Sequence, residues 1–225
     1  MGYWVNTTYI RHDDVDEVAA ALTAACAAEG MQRVPSPPAR ERRRLEPMQY
    51  QGALSNDLWG AAIFPGAPSW TVIQTAPLEL LAERAPGAPR MRLVDLCRRL
   101  SASAFQLNVY DGTAAVLAEV SSDGDLLLSG YGAATDSFEW HGEPLDEAFI
   151  EAQFRLHAHP GRELAGMGAE EKARAIARHF GGRNAAFCDN RVSVDTLISH
   201  KPFDAPGGLA VYFRWPGASR ERSDA

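Results

Sequence analysis

Residues 104–131 carry the pattern that most restricts the fold. Phe105, Leu107 and Val109 alternate with Gln106, Asn108 and Tyr110, the two-residue period of a strand with one buried and one solvated face. Asp111-Gly112 follows, a favoured hairpin turn. Val116 and Leu117 lie on the return strand to Val120, Ser121-Ser122-Asp123-Gly124-Asp125 forms a second turn, and Leu126-Leu127-Leu128 begins a third strand. Together these predict an antiparallel meander. Asp111 and Asp123 precede glycines, so they are assigned to turn geometry rather than to catalysis.

Before the meander, the chain reads as strand, helix, linker and hairpin. Residues 3–10 are rich in aromatic and β-branched types and predict a strand. Asp13 and Asp14 are each able to cap the helix that follows. Val15, Val18, Leu22 and Cys26 share one face of it, and Gly30 ends it. Residues 33–49 are proline-rich and then basic, with Pro35, Pro37 and Pro38 followed by Arg40, Arg42, Arg43 and Arg44. This segment is expected to be a solvated loop, since closely spaced prolines cannot continue a helix or a central strand. Leu58–Phe64 and Trp70–Thr75 predict paired strands joined by the turn residues Pro65-Gly66-Ala67-Pro68-Ser69. A short helix is expected over 76–81, and Leu93, Leu96, Cys97 and Leu100 predict an amphipathic helix ending near Ser101.

The last third reads as helices and one strand. Leu145, Phe149, Ile150 and Phe154 suit a helix, and Ala169, Ala173, Ile176, Ala177 and Phe180 suit another that stops at Gly181-Gly182. Leu209, Val211, Phe213 and Trp215 alternate with Ala210, Tyr212 and Arg214 in a final strand. Strands grouped apart from helices favour an α+β fold, with an antiparallel sheet covered by helices on one face. The expected organisation is a sheet region over 1–135, a helical segment plus final strand over 136–216 within the same domain, and a disordered tail over 217–225.

Charge and cysteine content narrow the function classes. The chain of 225 residues has 22 Lys+Arg against 29 Asp+Glu, a formal net charge of −7. That excess of carboxylates argues against a nucleic-acid partner, because phosphate binding depends on cations, and it suits steering towards a basic protein. No apolar run approaches the length of a membrane span, so no membrane role is expected. The first residues show no basic-then-apolar secretory pattern. With only Cys26, Cys97 and Cys188 and no close pair among them, neither a disulfide framework nor a zinc ribbon is expected, and the expected compartment is the cytoplasm. Only Lys172 and Lys201 are lysines among the basic residues, a composition matching a GC-rich bacterial coding bias.

Catalytic signatures are sparse. Phosphate-loop, dinucleotide-binding, nucleophile-elbow and zincin motifs are all missing from the sequence, and no cofactor is expected. His157 and His159 stand at the end of an expected helix, where i, i+2 spacing points them apart, so no metal site is assigned. The catalytic candidates are Cys188 as nucleophile with His179 and Asp189 nearby in sequence, a set that would need a lowered thiol pKa. The partner-binding candidates are Glu139, Trp140 and Glu143, a tryptophan among carboxylates in an acidic, turn-rich connection, the residue type that anchors interfaces.

The helix over 93–101, the strand from Phe105 to Asp111 and the Asp123-Gly124 turn together resemble a helix-plus-meander unit of small bacterial α+β proteins. Some of these are immunity proteins of polymorphic-toxin systems. The resemblance spans 58–131 and carries no functional residues with it. It implies an acidic cytoplasmic module that binds and neutralises a toxin domain. The alternative expectation is a small-molecule enzyme or ligand-binding protein with a pocket near Cys188 and His179.

Overall fold

The computed structural model describes residues 5–42, 45, 58–76, 80–81, 92–110, 114–124, 126–132, 139–140, 143–144, 169–188 and 205–215. The first strand, β1 (Val5–Ile10), leads into helix α1 (Val15–Ala28). Of the two candidate caps Asp14 takes the role: its carboxylate accepts from the backbone N–H of Asp16 and Glu17 at 2.9 and 3.0 Å, satisfying donors that have no partner inside the helix. Val18, Leu22 and Cys26 are buried, as their spacing predicts. Within the segment expected as a Pro/Arg-rich loop at 33–49, the described residues include the end of a short strand, β2 (Gln32–Val34), and one helical turn, α2 (Ala39–Arg42). Pro37 and Pro38 stop short of that turn, where their missing N–H groups cost nothing.

Strands β3 (Leu58–Pro65) and β4 (Thr71–Ala76) pair antiparallel around the turn that the sequence marks, with Ser69 in the left-handed region at φ 68°. Of the residues 76–81 expected as a short helix, Ala76 instead closes β4. Leu80 and Leu81 are buried, and 77–79 lie outside the described residues. Helix α3 (Arg92–Leu100) then leads into the meander β5 (Ala104–Tyr110), β6 (Ala114–Val120) and β7 (Leu126–Gly132). Its first turn, 111–113, is outside the described residues, as is the expected helix beginning at Leu145. The Asp123-Gly124 turn forms, with Gly124 at φ 85° and the Asp123 carbonyl accepting from Arg98 Nε at 2.9 Å. A two-residue pair, β8 (Glu139–Trp140) and β9 (Glu143–Pro144), precedes helix α4 (Ala169–Phe180), a 3-10 helix (Gly182–Cys188) and the final strand β10 (Leu209–Arg214).

The fold is α+β, built on an eight-stranded sheet in the order β2-β10-β3-β4-β1-β5-β6-β7. Every pairing in it is antiparallel. Strand β10 inserts between β2 and β3, so the last described strand belongs to the same sheet as the first. One feature of the expected arrangement needs correction. Helices α1 and α3 share one face, packing on Ile10, Trp59, Ala61, Ile63, Ile73, Val211 and Phe213. Helix α4 lies on the opposite face, against Val5, Tyr9, Phe64, Val72, Phe105 and Leu107. The physical reason is visible along β3, where Trp59, Ala61 and Ile63 belong to one core and Phe64 to the other: a strand that is apolar on both sides needs two covering layers.

The α4 layer is held by a close backbone approach. The amide of Ala67, in the β3–β4 turn, donates to the Phe180 carbonyl at 2.6 Å. Gly66 makes this possible, because a Cβ at that position would run into the same carbonyl oxygen. Phe180 in turn inserts its ring among Tyr9, Trp70 and Phe105, with ring centroids 5.4, 4.8 and 4.9 Å away. These offset and edge-to-face contacts are the favoured aromatic geometries. Phe105 thus lies in this core and Trp70 packs against it.

Candidate functional site

Cys188, the candidate nucleophile, closes the 3-10 helix, 2 % exposed, with its Sγ 3.9 Å from the Asn184 carbonyl oxygen. Burial pushes its thiol up to about 12, only partly countered by a hydrogen bond with Tyr9. Desolvation disfavours the thiolate, which is the reactive form. His179 is exposed on α4, edge-on to Phe180 at 4.8 Å, whereas Cys188 lies in the core that Phe180 enters. The structure therefore does not bring the histidine and the thiol together as an acid–base pair. Asp189 lies outside the described residues. Burial likewise raises Cys26 and Cys97 to about 12.

The partner-binding candidates fare differently. Register places Trp140 opposite Glu143 and Glu139 opposite Pro144 across the β8–β9 pair, so the three are neighbours on one small ladder. His157 and His159 fall outside the described residues, and among the described residues no group of three or more His, Cys, Asp or Glu is placed to hold a metal ion. No helix among the described residues is long and apolar enough to cross a membrane.

Sequence reasoning missed a polar patch on the same side of the sheet as the α1/α3 core, on β1, β4 and β5. The alternation in β5 pointed Gln106 and Asn108 to solvent, yet they are 0 % and 7 % exposed. Beside them on β1 and β4 lie Asn6, Thr8 and Thr75, at 3 %, 0 % and 0 %. Asn6 is the hub: its Nδ2 donates to Asn108 Oδ1 at 2.6 Å, and its Oδ1 accepts from Gln106 Nε2 at 3.3 Å and Thr75 Oγ1 at 3.4 Å. Two atoms of the patch, Thr8 Oγ1 and Gln106 Oε1, are buried without a hydrogen-bond partner. The signal was present in the sequence as amide and hydroxyl residues at alternate positions of separate strands, but only the strand order makes them adjacent. On the other face, Gln74 Nε2 donates to Thr7 Oγ1 at 3.0 Å, and Thr7 Oγ1 donates to the Cys188 carbonyl at 2.9 Å.

Two further polar features flank this core. Arg92 is 2 % exposed, donates to Glu29 Oε2 at 2.8 Å and to the Leu80 carbonyl at 2.7 Å, and stacks over the Trp59 ring at 5.3 Å. At the opposite end of the sheet, an open groove of about 470 Å³ is lined by Arg11, His12, Ser69, Ser101, Ser103 and Ser122, among others. His12 is engaged within it: its Nδ1 accepts from the Asp14 amide at 3.2 Å, and its Nε2 lies 3.1 Å from Glu17. Comparison of the chain with protein-family models, with curated proteins and with solved structures returned no match.

Proposed function

We propose that this chain is an acidic protein-binding module of a bacterial cytoplasm, with neutralisation of a toxin domain as its most concrete form. The observation that carries the reading is the β8–β9 register, which sets Trp140 across from Glu143 and next to Glu139. An aromatic flanked by carboxylates combines a surface that can be buried with charge that attracts a basic partner. The formal charge of −7 acts in the same direction over longer range. The burial of all three thiols supports binding over nucleophilic catalysis, since each is held in its unreactive protonated form.

The test is capture of a partner by the tagged chain from its native cell, followed by co-expression of that partner with and without the chain. Under this reading the captured protein is basic and arrests growth alone, and the chain restores growth. Surface plasmon resonance then resolves the two contributions. Glu139→Gln with Glu143→Gln slows association at low salt, because steering acts on encounter. Trp140→Ala accelerates dissociation, by ~2 kcal/mol if the ring is a buried anchor. A partner that binds all variants with unchanged kinetics would move the interface away from this hairpin.

A further inference from the structure

Among the described residues, Gly30, Gly124, Gly182 and Gly207 have a left-handed backbone, which glycine adopts freely. Two serines share that conformation, Ser69 at φ 68° and Ser101 at φ 48°. Each stands where glycine is the usual residue. Ser69 is the third residue of the turn Ala67-Pro68-Ser69-Trp70, which the Trp70 amide closes by donating to the Ala67 carbonyl at 2.9 Å. A positive φ directly after the proline is the pattern of a type II turn. Ser101 follows α3, where its own amide donates to the Arg98 carbonyl and the Ala102 amide to the Cys97 carbonyl, the helix ending that favours glycine. Neither hydroxyl bonds to another described residue. Strain kept in a native fold clusters at active sites and ligand clamps.

Both serines line the open groove of about 470 Å³ at the end of the sheet, and none of the four glycines does. Arg11, His12 and Asp13 reach it from the end of β1, and Ser103 from the start of β5. These walls are fastened to one another. The Arg11 amide donates to the Ser103 carbonyl at 2.9 Å, and the Thr71 hydroxyl donates to the His12 carbonyl at 2.7 Å. A cavity formed in advance lowers the cost of ordering a ligand, and its volume is that of a small-molecule site. His12 has both ring nitrogens engaged, by the Asp14 amide and by Glu17, so it serves as wall. The Arg11 guanidinium and the Asp13 carboxylate pair neither with each other nor with any other described residue.

We infer that this groove binds a free amino acid, with Arg11 holding the carboxylate, Asp13 the ammonium, and the serine hydroxyls completing the hydrogen bonding. The class follows from the presence of both charges. The planar guanidinium fork matches a carboxylate with two parallel hydrogen bonds. A phosphate would meet Asp13 as a like charge, and a simple amine would meet Arg11 in the same way. A zwitterion answers both. Neither Glu139, Trp140 nor Glu143 takes part, so the site stands apart from the protein-binding reading.

The standard amino acids are titrated, in pools and then singly, into ¹⁵N-labelled full chain. At least one is expected to shift the backbone amides of Ser69, Ser101 and Ser103 saturably. Its N-acetyl derivative, which lacks the ammonium, and its carboxamide, which lacks the carboxylate, are expected to bind about tenfold more weakly. Arg11→Gln should weaken the amino acid to the level of its carboxamide, and Asp13→Asn to the level of its N-acetyl derivative. Both residues are exposed, so neither change disturbs the core. Ser69→Gly and Ser101→Gly separate a ligand role from a structural one. Each relieves the left-handed backbone, so the melting temperature should hold or rise while binding weakens about threefold or more. No saturable shift with any standard amino acid, equal binding of either derivative, or unchanged affinity in Arg11→Gln or Asp13→Asn would overturn the inference. So would full affinity in both serine variants, and the groove would then be solvated surface.

Discussion

Strand β1 has two faces that solve the same burial problem in opposite ways. On one, Tyr9 stacks on Phe105 at 4.9 Å, and both rings meet Phe180 from α4. On the other, one residue along, Thr8 and Asn6 face Gln106 and Asn108. Both faces bury apolar area, Tyr9 with Phe105 on one and Ile10 with Ile73 on the other. The stretch at Asn6 and Thr8 instead exchanges hydrogen bonds with water for hydrogen bonds within the protein, a near balance at best, and leaves two atoms unpaired. The aromatic contacts thus fix α4 to the sheet, while the polar stretch is carried at some expense in stability.

The largest expected effect breaks the aromatic face. Phe105→Ala removes a ring that touches Tyr9, Trp70 and Phe180. Because the neighbouring rings cannot collapse into the space, a loss of ~3–5 kcal/mol is expected in urea unfolding. A loss below ~1 kcal/mol would show that this layer is not the anchor described above. On the other face, Arg92→Met should cost about 3 kcal/mol, because it takes the guanidinium away from Glu29 in a mostly buried place. The double variant Arg92→Met with Glu29→Leu is expected to recover most of that loss, since a well-packed apolar pair often matches a buried ion pair. Failure to recover would mean that the contact of Arg92 with Trp59 and the Leu80 carbonyl, rather than the ion pair, holds this corner.

The thiols sharpen the comparison because they divide between the faces: Cys26 and Cys97 in the α1/α3 core, Cys188 under α4. Each has its pKa raised by burial from the ordinary 9.0 to about 12 in the folded chain. The unfolded chain therefore releases these protons first as pH rises. Stability attributable to the thiols is complete below pH 9.0, and it declines steadily between there and about 12. Denaturant midpoints measured across that window should fall, and they should fall less in a variant with all three replaced by alanine. At neutral pH, Ellman's reagent reaches a thiol only when its layer opens. Among the described residues the α4 face is covered by that helix and the 3-10 helix, whereas the opposite face is covered by two α-helices, α1 and α3. Cys188 is thus expected to react before Cys26 and Cys97, and the reverse order would make the α1/α3 layer the more labile.

How far the sequence reveals this arrangement depends on which interaction fixes each part. Helices α1, α3 and α4 show in their apolar spacing, and β3–β4 in its turn residues, because those signals are local. The alternation in β5 was legible too, but alternation alone does not say whether the second face meets water or another layer. Gln106 and Asn108 look like surface residues until β1 is placed beside them, and β1 precedes β5 by about a hundred residues, as the 102-residue separation of Asn6 and Asn108 shows. Strand β2 was hidden for a different reason: three residues next to prolines carry too little pattern, and its partner is β10, far along the chain. The burial of Cys188 was not legible because it depends on the 3-10 helix that starts at Gly182 and carries the thiol back into the core.

The smallest expected effect tests whether the two faces open independently. Asp13 and Asp14 are equivalent as caps in the sequence, but only Asp14 accepts hydrogen bonds from the first turn of α1. Asp14→Ala should therefore destabilise the chain by about 1 kcal/mol, and Asp13→Ala by much less, since both remove a negative charge near the helix start and only one removes a cap. That difference isolates the capping bonds from the charge. If the α1/α3 layer opens by itself, the loss appears in its own opening equilibrium, and Cys26 reacts with Ellman's reagent about fivefold faster in Asp14→Ala while Cys188 keeps its parent rate. If the sheet and both layers open as one cooperative unit, Cys26 and Cys188 accelerate by the same factor. The second outcome would show that the α1/α3 layer, with the polar stretch beside it, shares one opening equilibrium with the aromatic face, because any loosening of one would loosen the other equally.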